Sequence, residues 1–311
     1  MADGPPVEQA QGTCAVCLHV FELKMADQTS EEKPIHEKLL QFLESTYSAL
    51  RETALMETTY KAAIYWLIVV LGSFIHDFFP PPRSYFSYTK NVINVYFVKL
   101  GWGWTWTLLS VLVLITSAIL TSGNFSLIAR HYSRLIVATI AWFLWVNFFE
   151  YVEHISGSCK GESRHGSKYT CHKHGYFWEG FDVSGHTFLL IHCCLTISEE
   201  IKVVKLIEDL DKGINDHGNS STGAMSFKSK YWYKIFSPFI SATFLFTAIL
   251  MVLWEIMLVS TCVYFHTIDQ KILGALAAFI TWLFTYKYWY MQDSGVVLSV
   301  QSYFNNYDFG Q

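Results

Sequence analysis

Charge is scarce in this 311-residue chain: Asp, Glu, Lys and Arg make up 15% of it, against 52% hydrophobic and 17% aromatic residues. Ordinary soluble domains carry about a quarter charged residues. The shortage, together with a positive mean hydropathy, points to an all-helical polytopic membrane protein. Positive charge is scarcer still, with 22 Lys and Arg against 26 Asp and Glu and a net charge of −4. No basic stripe exists to displace counterions from a phosphate backbone, so nucleic acid is not an expected partner. A Gly-rich phosphate loop, a nucleophile-elbow serine and a His-Glu-x-x-His pair are all missing, which removes three familiar routes to hydrolysis. Residues 1–34 lack a basic start followed by an apolar core, so no cleavable signal is expected there and a later helix does the targeting.

The seven cysteines fall into three environments. Cys14 and Cys17, with His19, form part of a zinc knuckle in a polar tail, but no second pair follows nearby. Cys193, Cys194 and Cys262 lie in apolar runs and read as free thiols. Cys159 and Cys171 lie in a polar loop that also holds Glu153, His154, His165, His172 and His174. That loop has enough donors for zinc, yet an oxidising compartment would join its two cysteines instead, and the disulfide is the favoured reading.

What is present is a succession of apolar segments. Spanning a bilayer takes about 20 mostly apolar residues in a helix, and six segments approach that length: Ala62 to Phe79, Trp102 to Thr121, Leu135 to Val152, His186 to Ile201, Ile235 to Phe265 and Ile272 to Tyr290. The fourth is short. Residues 62–290 therefore form the membrane domain and 291–311 a cytoplasmic C-terminal tail. Residues 1–61 form a cytoplasmic tail ending in an amphipathic approach helix marked by Leu39, Leu43, Tyr47, Leu50 and Ala54. Asn91 to Lys99 is a further amphipathic piece, expected to be helical and re-entrant. Trp and Tyr crowd the segment ends, as an interfacial belt would.

Six spans put both termini on one side. Lys and Arg are denser on the termini's side, notably from Lys202 to Lys234, so the termini are expected in the cytoplasm. The Cys159/Cys171 loop then lies on the opposite, oxidising side. So do His186, which opens the fourth span, and His266, which closes the fifth. Two imidazoles at one depth can supply a nucleophile or base and an acid, because free imidazole titrates near neutrality. Asp182 or Ser184 can cap the fourth helix, and its bare N–H groups beside Gly185 suit a phosphate. Lys271 adds positive charge. Without a partner reaction, the same residues would be interfacial histidines with capping neighbours. Glu255, in mid-span, counts as a functional candidate or as the partner of a polar group on a neighbouring helix.

Several blocks resemble the fat storage-inducing transmembrane (FIT) proteins: Asn91 to Lys99, Glu153-His154-Ile155-Ser156-Gly157-Ser158-Cys159, Phe177 through Asp182-Val183-Ser184-Gly185-His186 to Leu190, Glu199-Glu200, and Tyr264-Phe265-His266 with Gln270-Lys271. The resemblance runs from about Ala62 to Tyr290. It implies a six-span endoplasmic reticulum protein needed for lipid droplet formation, with a core distantly similar to lipid phosphate phosphatases. It further implies hydrolysis of fatty acyl-CoA to acyl 4′-phosphopantetheine and adenosine 3′,5′-bisphosphate on the lumenal side, without a cofactor or metal. His186 would be the acid and His266 the nucleophile. The alternative is a non-catalytic protein that binds diacylglycerol or triacylglycerol among membrane lipids and partitions it into droplets. The phosphatases' Lys-and-Arg-Pro phosphate motif has no counterpart, so the phosphates fall to Ser184, Gly185, Lys271 and Asn94, with Asn91, Lys90 and Lys99 also in reach. Asp269 stands one residue short of the spacing of the aspartate that orients the phosphatase nucleophile, and that role is left unassigned.

Overall fold

The computed structural model describes residues 35–160, 167–216 and 227–292. The Cys14/Cys17/His19 group, His165, the Asn219 sequon and the C-terminal tail lie outside those residues. Nine α-helices and one small hairpin, with short 3₁₀ and π turns at Tyr85–Ser87, Ile93–Phe97, Val98–Leu100 and Leu283–Trp289, make up the described chain: α1 (Ile35–Ala54), α2 (Thr58–Phe78), α3 (Gly101–Leu120), α4 (Phe125–Ser156), β1 (Ser158–Lys160), α5 (Lys168–Lys173), β2 (Phe177–Glu179), α6 (Gly185–Glu200), α7 (Lys202–Asp216), α8 (Phe227–Tyr264) and α9 (Ile268–Trp282). Two compact units divide between Ala49 and Leu50, so most of α1 belongs to the first and the remaining helices to the second.

Among the described residues, five helices are long and apolar enough to cross a membrane: Thr58–Phe78, Ile93–Leu120, Phe125–Ser156, Lys230–Tyr264 and Ile268–Trp289. Their outer faces expose Leu67, Leu71, Ile140, Phe143, Phe246, Ile249 and Phe284. Water does not tolerate apolar surface of that extent, and lipid does. The expected starts shift outward, each to an earlier residue, while the ends move less. The Asn91 to Lys99 piece does not stand apart: a π-turn at Ile93–Phe97 and a 3₁₀-turn at Val98–Leu100 run straight into α3. Helix α8 carries Pro238 within it, which a membrane helix accommodates when neighbours satisfy the freed carbonyl.

The fourth expected span is the exception. Helix α6 has 16 residues, about 24 Å at 1.5 Å per residue and short of a bilayer core. It packs against α2, α3, α4, α8 and α9 together, and every residue from Leu190 to Glu200 is buried. A helix apolar on all sides belongs at the centre of a bundle, and α6 is the axis around which the longer helices stand. Around it the core is pinned by polar bonds that lipid would otherwise leave unmade. Trp254 donates Nε1–H to Thr105 Oγ1 at 3.0 Å and Trp145 does so to Thr281 Oγ1 at 2.8 Å. Tyr65 donates its hydroxyl to Glu255 Oε1 at 2.7 Å, so the mid-span carboxylate has a partner on α2.

The polar loop folds as a hairpin lid on the end of α4. Strands β1 and β2 pair antiparallel with Cys159 opposite Trp178, and Cys159 is disulfide-bonded to Cys171, which removes both sulfurs as thiolate ligands. Trp178 Nε1–H donates to the Glu153 carbonyl at 3.3 Å, and the Phe181 N–H to Ser156 Oγ at 2.8 Å. Gly180 lies flat on this junction, where a Cβ would collide with the Glu153 carbonyl oxygen. These bonds deliver the chain from α4 to the start of α6.

Candidate functional site

The site is the N-terminal end of α6 and the loop between α8 and α9. Ser184, not Asp182, caps α6: it is fully buried, and its Oγ accepts the Thr187 N–H at 3.4 Å and sits 2.8 Å from the Thr187 hydroxyl. Capping at that third helical residue leaves the N–H groups of Gly185 and His186 without intrahelical acceptors, as at every helix start. A Cβ built on Gly185 meets nothing within 4 Å. Open space over two bare N–H groups at the positive end of a helix is the geometry that receives a phosphate oxygen.

The first turn of α9 is bound directly to this cap. The Ser184 N–H donates to the Gln270 carbonyl at 3.1 Å. Gly274, one turn further along α9, lies where a Cβ would stand 2.5 Å from the Ser184 carbonyl oxygen, so only glycine lets the two helices meet here. His266 is thereby held near the start of α6. His186 and His266 are both half-buried, and His266 and Lys99 lie near enough to His186 to act on it electrostatically. His266 adopts a left-handed backbone with φ of +57°, a conformation that non-glycine residues rarely hold unless the surroundings enforce it. Its Nδ1 lies 3.1 Å from Gln270 Oε1 and 3.9 Å from Asp182 Oδ2.

The remaining expected site residues are more loosely placed. Lys271 is wholly buried and donates Nζ to the Cys262 carbonyl at 2.8 Å. Asn94 is half-buried and donates Nδ2–H to the Thr89 carbonyl at 2.7 Å, while its own N–H is taken by Asn91 Oδ1 at 2.7 Å. Lys99 is exposed and brings its charge to His186. Gln270 has no role that its residue type alone suggests; its signal in the sequence is the capping spacing Thr267-x-x-Gln270, which forms a complete capping box at the start of α9. Among the described residues no cluster of His, Cys, Asp and Glu could hold a metal. A second polar cluster lies at the opposite end of α6, where Glu200 takes Arg134 in a buried bidentate pair.

The family model of the Fat storage-inducing transmembrane protein matches residues 82–286. Acyl-coenzyme A diphosphatase FITM2 of Drosophila melanogaster is 35% identical over 255 residues, covering 77% of this chain and 60% of the relative. The chain thus spans under two thirds of the fly protein's length. The protein of the same name from Xenopus laevis is 38% identical over 231 residues, 72% of this chain and 80% of the relative. The Mus musculus protein is 35% identical over 273 residues, 85% and 95% of the two chains. No solved structure matches. The chain belongs to the fat storage-inducing transmembrane protein family.

Proposed function

We propose that this protein is a fatty acyl-CoA diphosphatase of the endoplasmic reticulum membrane that supports lipid droplet biogenesis. The observation that carries the reading is the meeting of His186, His266 and the open N-terminus of α6 at one end of the bundle. Relatives named acyl-coenzyme A diphosphatase, matched over most of this chain, support the substrate. The diphosphate lies over Gly185, against the bare N–H groups that the Ser184 cap leaves. Exposed Lys99 and buried Lys271 add positive charge, and Asn94 lies in the segment that carries Lys99. His266 attacks one phosphorus, forming a P–N bond as the bridging P–O bond breaks, and His186 gives its proton to the departing phosphate. Water then attacks the same phosphorus, His186 takes the water's proton, and His266 leaves neutral. The products are acyl 4′-phosphopantetheine and adenosine 3′,5′-bisphosphate.

Purified protein given a long-chain acyl-CoA is expected to release adenosine 3′,5′-bisphosphate, and a folded His266→Ala variant to release none. Failure of the wild type to release it, or release that survives the substitution, ends the enzyme reading. A carrier of diacylglycerol or triacylglycerol would then be favoured by the apolar groove between α4 and α9, lined by Ile140, Leu144, Phe148, Ile280 and Phe284.

In the membrane, α6 supplies the sixth span, a short one, with both termini cytoplasmic and the histidines lumenal. The Cys159–Cys171 disulfide and the excess of basic residues on the opposite side support that orientation. Asn124 of the sequon Asn124-Phe125-Ser126 caps α4, accepting the N–H groups of Ser126 and Leu127 at 3.1 and 3.4 Å, and is assigned to the cytoplasm, as is Asn219. Neither is expected to carry a glycan. A mobility shift removed by endoglycosidase and abolished by Asn124→Gln or Asn219→Gln would place the histidines in the cytosol.

A further inference from the structure

We propose that Gln270 is the positioning residue of the site: it holds His266 as the tautomer protonated on Nδ1, leaving Nε2 bare to attack phosphorus. This rests on the diphosphatase reading. Gln270 Oε1 accepts the backbone N–H of Thr267 at 3.3 Å, and a backbone N–H can only donate, so the amide oxygen faces that way. The same atom lies 3.1 Å from His266 Nδ1. An amide oxygen only accepts, so Nδ1 carries the hydrogen and, in the neutral ring, Nε2 holds the lone pair.

Other acceptors are placed less well. Asp182 Oδ2 stands 3.9 Å from Nδ1 on a side chain that is 59% exposed, beyond a hydrogen bond. Asp269 engages the Thr267 hydroxyl with its carboxylate. The other charged or titratable groups around the loop are His186 on α6, Lys99 before α3, Lys271 on α9, Cys262 and Tyr264 at the end of α8, and His76 and Asp77 at the end of α2, where His76 Nδ1 lies 3.0 Å from the Val263 carbonyl. Gln270 also accepts the Ser184 N–H on its own carbonyl, so one residue sets the tautomer of the nucleophile and its distance from the helix that carries the acid. A neutral amide orients the ring without adding negative charge beside an anionic substrate.

The test uses full-length protein in detergent with acyl-CoA. Gln270→Met removes the acceptor at similar length, and kcat is expected to fall by about three- to tenfold, the fold-change one hydrogen bond supplies, with KM little changed. Gln270→Glu keeps the acceptor but adds a charge that favours the protonated ring. Its kcat/KM is therefore expected to rise with pH along a limb displaced upward by about one unit, reaching near wild-type rates above it. Wild-type kcat in Gln270→Met overturns the proposal, and so do equal losses in both variants with no movement of the limb, which would make Gln270 only a helix cap. Should Gln270→Met not fold, the Gln270→Glu limb decides alone. If the wild type is active and His266→Ala is dead, the diphosphatase reading stands and the two variants bear on Gln270 only; an active His266→Ala sinks the diphosphatase reading itself, and this proposal with it.

Discussion

His186→Ala is expected to lower kcat for acyl-CoA hydrolysis by about 10²- to 10⁴-fold, the usual contribution of a positioned general acid or base, and His266→Ala to abolish turnover. The roles separate in a second measurement. His186 serves both half-reactions, protonating the departing phosphate and then activating water, so its loss slows the breakdown of the covalent intermediate as well as its formation. With acyl-CoA labelled in both halves, and quenching in alkali where a P–N bond to histidine survives, His186→Ala is expected to retain label on the protein. His266→Ala retains none. Label on His266→Ala would reverse the assignment, and label on neither would replace the covalent route with direct attack by water.

The fall should sit toward the lower end of that range. A phosphomonoester leaves a diphosphate with far less need of a proton than an alkoxide would, so the acid has less charge to neutralise. The open volume above Gly185 also gives water access to the departing oxygen. Residual hydrolysis in His186→Ala then comes from the helix N-terminus and Lys99, and weakens with salt because Lys99 is exposed.

Much of this arrangement is legible in the sequence, and the illegible parts share one cause. The apolar segments locate the long helices, and the Ser184-Gly185-His186 block locates the start of α6. Hydropathy misses the ends because buried charges interrupt it. Hydropathy starts the third span at Leu135, since Arg130, His131 and Arg134 look like a loop, yet α4 begins at Phe125 and Arg134 is 1% exposed on its side chain, paired with Glu200. Lys61 looks like a loop charge, yet it is buried and donates to the Ala54 carbonyl at 2.7 Å and Ser198 Oγ at 3.2 Å. Arg134 and Lys61 both find partners far along the chain, where a local window has no view of them. The positive-inside comparison therefore rests on fewer true loop charges than the sequence suggests.

The functional site shows the same division. His186 and His266 are paired by counting spans, a long-range argument. Lys271 attracts notice for its charge ahead of its neighbour Gln270, although it is Gln270 that touches His266 and the Ser184 cap. An uncharged side chain that works by accepting two hydrogen bonds leaves no mark in composition. Its capping-box spacing is the available sign, and that sign speaks of helix ends rather than of chemistry.

Arg134→Met is expected to destabilise the fold by about 3–5 kcal/mol, because it strands Glu200 as a lone carboxylate inside the bundle. Glu200 is 0% exposed; it takes Arg134 Nε at 2.8 Å and Nη2 at 2.7 Å, and accepts the Tyr286 hydroxyl at 2.8 Å. Arg134 Nη1 lies 2.8 Å from His131 Nδ1. Desolvating both ions offsets most of their attraction, so replacing the pair together should cost far less than replacing either. The double variant Arg134→Met/Glu200→Leu is thus expected to recover most of the stability lost by Arg134→Met, a coupling that thermal unfolding in detergent across the four proteins would measure. Losses that merely add would mean the two side chains act separately. The pair also ties the far end of α6 to α4, while Ser184 and Gln270 tie the near end to α9. Because α6 is short and buried, its depth is set by these two attachments rather than by the bilayer. Arg134→Met should therefore lower diphosphatase activity in the fraction that stays folded, by letting His186 drift from His266, whereas the double variant should restore the fold more fully than the rate.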